Sequence, residues 1–186
     1  MIDLVSISSY ISRYISRYIN SYISSYISSL TKNMAVVKCD FSKFEEHIHL
    51  LKKIATYSSL THKHSACLIK GGKICTFGYN RYIKTDIINN KCVKYTIHAE
   101  IDALCKVYNK LSKGMDILII RIGNEKTNKL KNSRPCNSCI DKLLQRGIRR
   151  VYYSDENGDI VYEFLESMQK IHISSGHSLR CKLKLL

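Results

Sequence analysis

Proline is nearly absent: the chain of 186 residues holds one, and with only 8 glycines the composition excludes collagen-like repeats and Pro/Gly-rich linkers. Tryptophan is missing altogether. No run of 18 or more apolar residues occurs, which excludes a helical membrane span and any membrane partner read from one. Acidic residues are scarce, 15 against 30 Lys and Arg, so the formal charge is +15. Cysteine is plentiful at 8, yet six (39, 67, 75, 92, 105 and 181) are scattered singly through apolar or strand-like sequence. That scatter disfavours a disulfide framework and fits reduced thiols in a cytoplasmic, intracellular compartment. What is present in quantity is hydrophobic residue, 45% of the chain, enough for one ordinary domain with an appendage.

The appendage is residues 1–34. Tyr10-Ile11-Ser12, Tyr14-Ile15-Ser16, Tyr18-Ile19, Tyr22-Ile23-Ser24 and Tyr26-Ile27-Ser28 repeat every four residues. In an α-helix that period drifts by about 40° per repeat, so the stripes wrap round instead of holding one core face. Ten Ser in residues 1–30, two Arg and one acid give it a loosely transit-like composition. Low-complexity sequence without catalytic importance is the alternative. Met34 lies between the repeat and the first globular-looking residues, and one reading starts the functional product there; a native N-terminus at Met1 rules that out. Arg13, Arg17 and Lys32 against Asp3 give the segment +2, leaving +13 on residues 35–186. Such a domain is expected to meet nucleotide phosphates or nucleic acid, unless the charge is only a dispersed, solvated Lys-rich surface.

Within residues 35–186, chemistry concentrates between His98-Ala99-Glu100 and Pro135-Cys136-Asn137-Ser138-Cys139. A catalytic zinc takes three protein ligands and keeps one position open for water, and one His with two Cys supplies three. If Pro135 opens a helix, Cys136 and Cys139 share one face of its first turn, where amide N–H groups and the dipole favour thiolate. Glu100 is then beside the metal without being needed as a ligand. A redox pair or half of a structural zinc clip is the bland alternative; a clip needs a fourth ligand, and Cys92 and Cys105 lack paired spacing. The combined order, His-x-Glu followed by Pro-Cys-x-x-Cys, is the signature of zinc deaminases, and the chain is identified on it as a member of the cytidine/deoxycytidylate deaminase superfamily.

The remaining sequence fits an α/β chain. Phe44, Ile48, Leu51 and Ile54-Ala55 predict a helix over 42–58. His47, His49, His62 and His64 have no Cys partners at ligand spacing and read as helix-surface and loop histidines. Two strand-like runs, 65–70 and 73–78, flank Gly71-Gly72 and predict a hairpin. Residues 81–97 read as a polar connection. They contain no Gly or Pro and place Ile97 before His98, which departs from the Gly-x-Pro-x-Gly segment and pre-His Cys of the deoxycytidylate branch. After Glu100, the residues Ala103-Leu104, Val107-Tyr108 and Leu111 predict one helix face stopped at Gly114. Residues 115–120 predict a strand buried on both faces. Ile140, Leu143-Leu144 and Ile148 predict a second helix ended near Gly147, and Val151-Tyr152-Tyr153 the strand after it, parallel to the first. Phe164-Leu165, Met168 and Ile171 suggest a short helix; His172 and His177 have no recognisable partner. The expected fold is a three-layer α/β/α sandwich with a mixed central sheet, both site helices presenting their N-termini at one edge.

The resemblance implies hydrolytic deamination by one Zn2+ held by His98, Cys136 and Cys139, with Glu100 as acid and base. It also implies substrate binding by Asn80, from the Gly78-Tyr79-Asn80 segment, and by the backbone of Ala99. The substrate is expected to be a small-molecule nucleoside or nucleotide, of cytidine, CMP or dCMP type. The alternatives are a nucleic-acid deaminase acting on tRNA adenosine or on cytosine, and a catalytically silent zinc-stabilised module. A homo-oligomer is a further implication, although no segment marks an interface.

Overall fold

The computed structural model describes residues 36–38, 41–88, 91–108, 111–123 and 129–174. The Tyr-Ile-Ser repeat, Met34, Cys39, His177 and Cys181 lie outside them. The described residues belong to one unit, Val36–Leu186.

Strand β1 (Val37–Lys38) is followed by a 3-10 turn (Phe41–Phe44) and helix α1 (Glu45–Ala55). Helix α1 is therefore shorter than the predicted 42–58: its first residues form the tighter turn, and it ends where Thr56 N–H bonds back to the Lys53 carbonyl and Tyr57 N–H to that of Ile54. Its buried residues are the expected Ile48, Leu51, Ile54 and Ala55. The hairpin β2 (His64–Lys70) and β3 (Lys73–Tyr79) turns through Gly71 and Gly72, with φ of 56° and 77°. Only glycine occupies that region without a Cβ penalty, which is why the Gly-Gly pair fixes the register.

The expectation of a polar connection over 81–97 is overturned. Residues Arg81–Ile88 (β4) and Lys91–Ile97 (β5) pair antiparallel as a separate two-stranded sheet. Ile83, Thr85, Ile87, Ile88, Val93, Thr96 and Ile97 are β-branched and favour extended backbone even on an exposed ribbon.

Helix α2 (Ala99–Cys105) is also shorter than the apolar pattern suggested. Arg146 ends it by donating to the carbonyls of Leu104 and Val107. Tyr108 and Leu111 accordingly lie exposed, and Gly114 (φ 77°) belongs to the turn into β6 (Asp116–Ile122). Then follow β7 (Leu130–Lys131), α3 (Asn137–Gln145), β8 (Arg150–Ser154) and β9 (Ile160–Phe164). The proposed tail helix is only a 3-10 turn, Leu165–Ser167, and Ile171 is exposed.

The main sheet runs β1-β9-β8-β6-β2-β3, with β7 also paired to β6. Strands β6 and β8 are parallel, joined through α3, whereas the other pairs are antiparallel. Alternation along the strands makes the two cores. Ala66, Leu68, Ile117, Ile119, Val151 and Tyr153 face α2 and α3, while Cys67, Ile69, Leu118, Ile120 and Tyr152 face α1. The result is the expected three-layer α/β/α sandwich with a mixed sheet. No helix among the described residues is long and apolar enough to cross a membrane.

Candidate metal centre

Two helix N-termini build the centre. His98 is the N-cap of α2 and Cys136 the N-cap of α3, each with extended backbone (ψ 153° and 163°). Pro135 thus does not open α3 as the spacing suggested; it is buried one residue outside the cap. The thiols still converge, because an N-cap side chain lies over the third residue of the helix, here Cys139. His98 Nδ1 is 3.6 Å from the Cys136 Sγ and 3.3 Å from the Cys139 Sγ. The three donor atoms lie within 4.8 Å of one another. No other set of three such side chains among the described residues is arranged to hold a metal, so His47, His49, His62 and His64 are not ligands in such a set. The six described cysteines are free.

The donor set fits zinc. One imidazole nitrogen and two thiolate sulfurs are the borderline-soft ligands zinc prefers, and three leave a fourth position for a reactant. The three donors shift one another's protonation. The Cys139 thiol donates to Cys136 and, with His98, draws the Cys136 pKa down to about 3 against the opposing effect of burial. Cys139, as that donor and as a buried thiol, is pushed well up. His98 is raised by its bond to Cys136.

Glu100, in the first turn of α2, is 5% exposed. Burial raises its pKa, opposed by His98. Ala99, fully buried, packs between sheet and helix. The structure therefore brings together His98, Cys136, Cys139 and Glu100, as the motif suggested.

Asn80 is buried and its amide is engaged with backbone: Oδ1 accepts from His64 N–H at 2.8 Å and Nδ2 donates to the His62 carbonyl at 2.6 Å. The Gly-Tyr-Asn-Arg segment also grips α2. A Cβ on Gly78 would fall 2.3 Å from Ala103 N and 2.6 Å from Ala99 O. Tyr79 N–H (3.3 Å) and the Arg81 guanidinium (2.9 Å) donate to Asp102, as does Lys106 (2.9 Å). Burial favours the neutral Asp102, but these cations outweigh it and hold its carboxyl below the usual range.

Sequence reasoning missed this carboxylate and two further supports. Arg134 lays its guanidinium on Glu163 (3.2 and 3.3 Å), which also accepts from the Tyr153 hydroxyl. Asn137 exchanges two bonds with His172. The spacing Asp102 to Lys106, one helical turn, was the single signal available in the sequence.

The family profile described as the cytidine and deoxycytidylate deaminase zinc-binding region matches residues 42–155. No curated protein sequence matches. Among solved structures, the dCMP deaminase from the cyanophage S-TIM5 in complex with dCMP and dUMP is 18% identical, with TM-score 0.46, covering 63% of this chain and 85% of that one. The cytidine deaminase from Burkholderia pseudomallei is 17% identical, with TM-score 0.43, covering 67% and 98%.

Proposed function

The chain belongs to the cytidine and deoxycytidylate deaminase family, a family of zinc-dependent hydrolases, and from that premise we propose that it deaminates a cytosine-type nucleoside or nucleotide: cytidine, CMP or dCMP. The observation that carries the reading is a buried carboxylate, Glu100, at the second residue of the helix whose cap is His98, one of the three side chains arranged so that they could hold a metal. A purely structural zinc needs no such group.

His98, Cys136 and Cys139 would hold the ion, which would supply the Lewis acidity that brings the pKa of water towards neutrality. Glu100 takes a proton from the attacking water as the new C–O bond forms at C4. It delivers that proton to the ring nitrogen N3 and then relays the proton of the newly attached hydroxyl to the amino group, so that the C4–N bond breaks as the C4 carbonyl forms and ammonia leaves. Burial suits Glu100 to this duty, because a raised pKa lets the carboxyl hold the proton between the two transfers. Ala99 serves by being small and by presenting its backbone N–H to the base. Asn80, with one lone pair and one N–H beyond its backbone bonds, is the proposed contact to base or ribose.

Ammonia release by the zinc-loaded full chain, measured on cytidine, deoxycytidine, CMP, dCMP, guanine and a tRNA anticodon stem-loop, tests the reading. Release from a cytosine nucleoside or nucleotide is the expected result. Glu100→Ala is expected to lower kcat by about 10²- to 10⁴-fold while zinc content stays unchanged; an undiminished rate sinks the assignment. The charge of +13 on residues 35–186 favours a second reading, a nucleic-acid deaminase. Release from the stem-loop alone would select it, and silence throughout with zinc bound would leave a silent module.

A further inference from the structure

Cys136 is a poor helix cap: the N-terminus of α3 has no side-chain cap bond, so the turn that carries both thiols must be fixed by something else. Two neighbours do so. Ahead of the turn, Arg134 is tied to Glu163 on β9. Behind it, the chain returns from β9 and lies against the helix. Asn137 N–H donates to the His172 carbonyl at 2.8 Å, and His172 N–H donates to Asn137 Oδ1 at 3.0 Å. The two bonds close a ring between the residue following Cys136 and the backbone of the returning segment. One turn further along α3, Asp141 pairs with Lys170. Residues 170–172 therefore form a strap running antiparallel to the first turn of α3, anchored at both ends.

We propose that Asn137 is a positioning residue for the metal centre: by clasping the His172 backbone it holds the Cys136–Cys139 turn in the geometry that binds zinc. This rests on the zinc reading of the site. Asn137 touches neither metal nor substrate in this role. It orients a ligand from outside, as hydrogen-bonded partners of metal ligands do, and the loss of such partners typically weakens metal binding about 10- to 100-fold.

The test is zinc affinity of the full-length chain by competition with a chromophoric chelator, alongside the melting temperature of the zinc-free protein. Asn137→Ala is expected to weaken zinc binding by about 10- to 100-fold. Asn137→Asp keeps an oxygen for His172 N–H and is expected to recover most of the affinity. His172→Pro removes that N–H from an exposed strap residue while keeping the carbonyl, and is expected to weaken binding in the same direction; it carries the test if Asn137→Ala does not fold. A lowered melting temperature with unaltered zinc affinity would make the clasp merely structural and overturn the proposal. A wild-type chain that takes up no zinc would overturn the site reading and this proposal together, whereas wild-type uptake with an unaffected Asn137→Ala overturns the clasp alone.

Discussion

His64 opens β2 with its Nδ1 3.1 Å from the His62 carbonyl, in the position of a neutral imidazole donating to backbone. Burial takes its pKa down to about 4, against the carbonyl bond that favours the charged ring; Arg121 and His98 add to the depression. A histidine of the unfolded chain titrates near 6.5. Between about pH 6.5 and 4 the unfolded state therefore binds a proton that the folded state refuses, and stability falls as pH falls through that window. From the two pKa values, wild type should lose about 2 kcal/mol more than His64→Gln between pH 7 and pH 4.5 in urea denaturation. Parallel pH profiles would show that the imidazole is not held neutral. Asn80 belongs to the same neighbourhood, since the loop carrying His62 and His64 is latched by its amide. The motif suggested a substrate contact; that the side chain also serves the fold was not visible, because its partners are backbone groups 16 and 18 residues away.

Between elements, the critical contact is β3 against α2. All three atoms nearest a Cβ added at Gly78 are backbone: Ala103 N at 2.3 Å, Ala99 O at 2.6 Å and the Asp102 carbonyl carbon at 2.8 Å. No rotamer change can relieve such a clash, so Gly78→Ala must push α2 off the sheet and His98 with it. We expect a loss of about 3 kcal/mol or more in urea denaturation, the upper end of overpacking penalties, together with weaker zinc binding. Wild-type stability in that variant would show that the helix does not lie so close. Elements with a buried face were legible: Ile48, Leu51 and Ile54 marked α1, the apolar run marked β6, and Gly71-Gly72 marked the hairpin. Their ends were not, because ends are set by distant groups, as when Arg146 takes the carbonyls that would have continued α2. The β4–β5 ribbon was overlooked because its residues are mostly exposed: β4 has no buried position and β5 only Val93, so β-branched content was its main mark. At the metal centre the motif named the three side chains that the fold brings together, while Arg134 and Asn137 carried no pattern of their own and Asp102 only its one-turn spacing to Lys106.

For the molecule as a whole, an ion held by His98, Cys136 and Cys139 would act as a cross-link. His98 lies 38 residues from Cys136 and 41 from Cys139, and the donors come from two helices on one face of the sheet. An ion that binds the folded chain and not the unfolded one adds RT ln(1 + [Zn]/Kd) to stability, about 2.7 kcal/mol at a hundredfold excess over Kd. The donors must be unprotonated to bind. In the ion-free protein, bonds to Cys136 raise both the Cys139 thiol and His98, so zinc has to displace protons from them, and its affinity falls as pH falls. Thermal unfolding with saturating zinc and with EDTA should consequently give melting temperatures that differ more at pH 8 than at pH 6. The direction follows from proton displacement alone, whatever the substrate. A gap independent of pH would mean that the ion is held by groups that do not titrate there, and a missing gap at both values would mean that the two helix N-termini are fixed by packing without the metal.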